Sequence, residues 1–137
     1  MNQPAIVRIL ALGALTGMRS MAGPATIAFR YGGPIRKAAL VLAAGEMIVD
    51  KLPFVGDRIE AAPLVGRALM GALAGGLIAW EAKSRHVVGG AALGAAAAVA
   101  AAHVAYRVRQ GLGGPPLAGG LIEDAIVLGA GTVLARG

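Results

Sequence analysis

Five apolar stretches, separated by short polar or Gly/Pro-rich breaks, take up most of this 137-residue chain. The first runs from Ala5 to Phe29, interrupted by Gly17-Met18-Arg19-Ser20 and by Gly23-Pro24. The second, Ile35 to Leu52, is bounded by Pro34 and Pro53. Leu64 to Ala82 and Val87 to Tyr106 follow, and Leu117 to Leu134 comes after Gly113-Gly114-Pro115-Pro116. As a helix, a run of about 18–20 residues is roughly 27–30 Å long, which matches the hydrocarbon layer of a bilayer. In lipid, such a run can satisfy its backbone only as a helix. The expectation is an all-α, polytopic membrane helix bundle, a single domain over residues 1–137, with five spans and a broken first helix.

Composition supports lipid as the solvent. Hydrophobic residues make up 57% of the chain, with a further 22 Gly, only 15% charged residues and a mean hydropathy of +0.71. A soluble domain of this size leaves too much surface in water to hide so much apolar area. The same numbers exclude disorder. The formal charge of +6 would suit nucleic acid in a soluble protein. Here the cations stand singly or in pairs between apolar runs, as in Arg36-Lys37 or Lys83 with Arg85. That is the pattern of loops flanking spans, so the expected partner is the bilayer and not nucleic acid. With no Cys, thiolate chemistry and disulfides are excluded. Residues 1–22 outline a signal peptide, but Arg19 stands where a cleavage region is uncharged, so the segment is read as a span.

Gly13-xxx-Gly17, Gly71-xxx-Gly75 and Gly90-xxx-Gly94 each put small residues one turn apart, which lets helices approach closely. Five spans would set the two ends of the chain on opposite sides. Arg8, Lys51, Arg58, Arg67, Arg107 and Arg109 then face one side, and Arg30, Arg36, Lys37, Lys83, Arg85 and Arg136 the other. Six against six gives no orientation by the positive-inside rule, and admits dual topology. A weak inverted repeat relates Arg30-Tyr31-Gly32-Gly33-Pro34 to Arg109 through Pro115, each leading into an acid-bearing helix. The acids Glu46 and Glu123 do not align within it. Inverted repeats are common in transporters.

Ionisable groups inside a span are costly and mark functional sites by default. Arg19, Glu46, Asp50, His103, Glu123 and Asp124 stand out. Glu46 and Asp50 are four residues apart, so they share a helix face. Glu46 lies seven residues before Pro53 and Glu123 seven after Pro116, which gives them one depth. His103 lies one turn from Arg107 at that same side. Four carboxylates in low dielectric must either protonate or hold cations. Candidate internal partners are Arg19, Lys51, Arg107 and Arg109, so interhelical salt bridges are the structural alternative to a ligand cavity.

The break around Arg19-Ser20 bends the first helix and exposes backbone N–H groups suited to anions. The segment from Pro53 to Pro63 suggests a short amphipathic turn, in which Asp57 and Glu60 either extend the acidic cluster or, as the preferred reading, are solvated charges paired with Arg58. Trp80 beside Glu81 and Lys83 fits an interface anchor. No Ser-His-Asp pattern, phosphate-binding glycine loop or metalloprotease helix motif is present.

Taken together, Gly17-Met18-Arg19-Ser20, the element Glu46-Met-Ile-Val-Asp50-Lys51-Leu-Pro53, His103-Val-Ala-Tyr-Arg107 and Glu123-Asp124 resemble a family of small bacterial membrane proteins, domain of unknown function 4126. The resemblance covers nearly the whole chain. It implies a multi-pass protein of the bacterial inner (cell) membrane in which the charged layer is a family hallmark.

The functional expectation is a small transporter or permease, proton- or cation-coupled, working as a homodimer or higher homo-oligomer on a small ion or molecule. Its binding residues would be Arg19, Ser20, Glu46, Asp50, Lys51, His103, Arg107, Glu123 and Asp124, with no cofactor other than a bound cation. Two alternatives stand beside it. One is a membrane enzyme acting on a lipid or lipid phosphate, with Mg²⁺ held by Glu46, Asp50 and Glu123. The other is a non-catalytic assembly protein whose charges only lock helices. The non-enzymatic reading is preferred.

Overall fold

The computed structural model describes residues 1, 3–49, 61–113 and 116–136. The described residues form six helices: α1 (Gln3–Met18), α2 (Ala22–Tyr31), α3 (Gly33–Val49), α4 (Ala61–Glu81), α5 (Val87–Leu112) and α6 (Pro116–Arg136). Strands are absent among them. Three helices are long and apolar enough to cross a membrane, over Pro63–Glu81, Val87–Leu112 and Ala118–Ala135. Large apolar side chains such as Val7, Val41, Leu69, Val88, Val104 and Val133 cover the outer surface. Such a surface suits lipid and would be a liability in water. The chain is thus a helical membrane protein, while its first two apolar segments are carried by helices of 16, 10 and 17 residues.

The first apolar segment is not one bent span. It is a hairpin. After Met18 the chain turns over Arg19-Ser20-Met21, and α2 runs back along α1. Near the turn, the Gly23 N–H donates to the Thr16 hydroxyl at 3.1 Å. Further along, Ile27 joins Ala5, Ile9 and Leu12 in one cluster with Ala74, Ile78 and Ala79. At the far end, Arg30 lines a cleft with Pro4 and Arg8. Gly23 is what permits this approach, since a side chain there would run into Thr16 and the Leu12 carbonyl.

From Gly33, α3 returns beside α2, with Ala25, Ala28 and Ala39 buried together and Ala43 packed against them. Glu81 at the end of α4 meets Arg30 and Tyr31, so α4 ends where α2 ends. The last helix runs from the hairpin turn toward the start of α1: Val127 packs on Leu15 and Ala22, and Leu134 reaches the cluster around Ala5 and Ile27. Among the described residues the six helices alternate in direction, so the start of α1 and the end of α6 lie at the same face, the terminal face. The opposite face, which carries the Arg19 turn, is the hairpin face. The expected placement of the two ends on opposite sides is therefore corrected. The cause is the reversal at Arg19–Met21, a change of direction that hydropathy cannot register.

The three small-residue motifs meet at one place. A buried ridge on α5 (Gly90, Gly94, Ala98, Ala102) is clasped by α1 and α4. A Cβ at Gly13 would lie 2.7 Å from the Ala97 methyl and 2.8 Å from the Gly94 carbonyl oxygen. At Gly71 it would lie 2.7 Å from the Ala98 methyl. Close backbone approach of this kind substitutes packing for the hydrophobic drive that lipid does not supply. The expected inverted repeat would match the first apolar segment to α5, but α5 is one uninterrupted 26-residue helix, with no counterpart to the break between α1 and α2.

Candidate functional site

The turn between α1 and α2 gathers the charges at the hairpin face. Arg19 is 2% exposed although it belongs to no helix. Its Nε donates to Asp124 Oδ1 at 2.7 Å, and Nη2 lies 2.5 Å from the same oxygen. A guanidinium has five donors in a fixed fork, so it can serve this carboxylate and still address other groups. The next acid, Glu123, lies 2.9 Å from Nη2 of Arg109 on α5. Space for the Arg109 side chain comes from Gly119, one turn earlier on α6, where a Cβ would fall 3.2 Å from Arg109 Nε.

Glu46 is engaged differently. Its Oε1 accepts from the Ser20 N–H at 2.6 Å, and Oε2 from the Met21 N–H at 2.8 Å. These N–H groups lie just ahead of α2, Met21 being its N-cap, and have no partner within that helix. A carboxylate there completes two charge-assisted bonds and complements the positive end of the helix dipole. The anion-binding character expected of the broken helix is thus met by a side chain of the protein itself. Ser20 takes part through its backbone.

A cavity of about 380 Å³ opens between α2, α3 and α6, and Arg19 and Glu46 stand at its charged end. The rest of the lining is mostly apolar, including Ala25, Leu40, Ala43 and Val127, with two hydroxyls from Thr26 and Thr132. Both hydroxyls donate within their own helices, to the Ala22 and Gly129 carbonyls. Phe29, Leu40 and Leu128 line the cavity and are also exposed on the outer surface, at 42%, 41% and 58%. The cavity therefore has a rim on the apolar flank of the bundle.

Of the residues singled out from sequence, Arg19, Ser20, Glu46, Glu123 and Asp124 come together. His103 and Arg107 do not join them. Both are exposed on α5, and His103 Nδ1 lies 2.9 Å from the Val99 carbonyl oxygen of its own helix. The reason is angular, since the buried ridge of α5 ends at Ala102 and the next position turns outward. Asp50 and Lys51 lie outside the described residues, as does the amphipathic turn with Asp57, Arg58 and Glu60. Among the described residues no three His, Asp or Glu side chains gather as a metal-ligand set. Glu46 and Glu123 instead face different partners.

Sequence reasoning placed Arg67 only among the cations flanking the spans, whereas it is buried at 2% exposure on α4. The signal was available, because Arg67 falls inside the apolar run from Leu64 to Ala82. It also missed the cluster of Arg30, Tyr31 and Glu81, in which Arg30 Nη1 is 3.1 Å from Glu81 Oε2 and the Tyr31 hydroxyl donates to Oε1 at 2.7 Å. Only the return of α2 brings those residues together. Comparison with protein-family profiles, curated proteins and solved structures finds no match.

Proposed function

We propose that the chain is a small membrane transporter or permease, proton- or cation-coupled, and that its solute occupies the cavity between α2, α3 and α6. One observation carries the reading: Glu46 borders this cavity while also holding the tip of α2 through the Ser20 and Met21 N–H groups. A proton or cation on Glu46 weakens both charge-assisted bonds and frees α3 to move away from the hairpin turn. Loading of the site and mobility of its gate are coupled through one carboxylate. Interrupted helices whose N-terminal ends face the binding site are a recurrent transporter device. The ion pairs Arg19–Asp124 and Arg109–Glu123 lock α6 to the turn and to α5, and form the fixed frame. A solute with a small hydrogen-bonding head and an apolar body fits a cavity that is charged at one end and apolar along its length.

Self-association and a bacterial inner-membrane setting belong to the same proposal. The family resemblance of the Glu46–Pro53 element supports the latter. The test is ion flux into proteoliposomes containing the full chain. Glu46→Gln abolishes flux driven by a proton or cation gradient, and Glu123→Gln reduces it. Flux of every tested ion that is unchanged in both variants overturns the proposal.

A further inference from the structure

A second cleft, of about 230 Å³, lies at the terminal face between the start of α1 and the ends of α2 and α4. Pro4, Ala5, Arg8, Arg30, Ile78 and Glu81 line it. Glu81 is fully engaged there, with one oxygen bonded to Arg30 and the other to Tyr31. Arg8 is not. Among the described residues its buried Nε has no hydrogen-bond partner, and the guanidinium forms no ion pair. A buried, unsatisfied donor on a charged group is expensive, and a ligand that completes it recovers that cost.

The charges define the ligand. Two guanidiniums and one carboxylate leave the cleft with a single net positive charge, which matches the single negative charge of a phosphodiester. Arg forks suit phosphate oxygens. Trp80 and Tyr31 flank the cleft's residues in sequence and are exposed at 64% and 53%, as side chains of an interfacial aromatic belt are. The cleft is thus at headgroup depth, on the face that also carries Lys83 and Arg85. We propose that it is a phosphate-binding site, in which Arg8 and Arg30 hold the phosphate group of an anionic lipid headgroup or a free phosphate, and Glu81 fixes the Arg30 fork.

The test is thermal stabilisation of the detergent-solubilised full chain, titrated with short-chain phosphatidylglycerol in one arm and inorganic phosphate in the other. The expected result is saturable stabilisation by the lipid, with a half-saturating concentration about tenfold higher in Arg8→Gln, as for loss of one charged hydrogen bond. Arg8→Lys, which keeps the charge and loses the fork, falls between. The Arg36→Gln/Lys37→Gln variant, altered elsewhere on this face, matches wild type. Stabilisation by inorganic phosphate that also competes with the lipid identifies free phosphate as sufficient. Stabilisation by the lipid alone identifies a headgroup. If neither probe stabilises the protein, or if Arg8→Gln and Arg8→Lys both respond as wild type does, the proposal is overturned.

Discussion

Arg19 and Asp124, separated by 105 positions, are joined through Nε and Oδ1 at 2.7 Å, so the tip of the α1–α2 hairpin is fastened to α6. Removing one member of a buried ion pair strands the other, at a cost of about 3–5 kcal/mol. Arg19→Leu or Asp124→Leu alone should therefore lower the thermal midpoint of the solubilised protein sharply. Replacing both with Leu removes the two charges together and should recover part of the loss. A double variant as unstable as the worse single one would show that the pair's other contacts matter more than its mutual charge.

Glu46 offers a separable test. Glu46→Gln keeps the shape and one carbonyl acceptor for the α2 N-terminus but loses the charge. Loss of a good helix cap costs about 1 kcal/mol. The expected outcome is a small fall in thermal midpoint together with faster amide hydrogen exchange at Ser20 and Met21. Exchange there as slow as in wild type would mean that the carboxylate does not restrain the turn.

The close contact of α1, α4 and α5 predicts a third result. A side chain at Gly71 or Gly94 would meet the backbone of the facing helix, which cannot yield as a flexible side chain can. Gly94→Val should abolish folding or cost several kcal/mol, at the upper end of overpacking penalties. Gly45 and Gly129 have nothing near the position of an added Cβ. Ala at either site should be neutral or slightly stabilising, through helix propensity. Denaturation in mixed micelles distinguishes the two classes.

How much of this was legible beforehand depended on whether a feature is local. Helix content, the small-residue contacts and the position of the break are written in runs of a few residues. The common depth of Glu46 and Glu123 followed from counting residues to the nearest Pro, because depth along a helix is linear in sequence, whereas the pairing of Arg19 with Asp124 did not. Rotation about the helix is less secure, and one position separates buried Ala102 from exposed His103. The direction of α2 was not legible. Bend and reversal at Gly17–Gly23 have the same hydropathy, and it takes contacts between distant positions, such as Gly23 with Thr16 and Ile27 with Ala5 and Ile9, to select between them. The Arg8–Arg30–Glu81 cleft depends on that reversal and was hidden with it.

The reversal also changes the charge tally that orients the protein. With both ends of the chain on the terminal face, Arg8, Arg30, Arg36, Lys37, Lys83 and Arg85 all lie toward that face. At the hairpin face Arg19 and Arg67 are buried, Arg109 is paired with Glu123, and Arg107 is exposed. Lys51 and Arg58 lie outside the described residues; among the rest, the cations at the terminal face are the more exposed set, and the expectation from the positive-inside rule is that this face is cytoplasmic. Since the chain has no Cys, single-cysteine variants report side without background. Cys at Lys37 or Lys83 should resist a membrane-impermeant maleimide in intact cells and react after lysis. Cys at Arg107 or Leu112 should react in intact cells. Labelling of both sets in intact cells to similar extents would instead show insertion in two orientations, and would return the six-against-six balance to relevance.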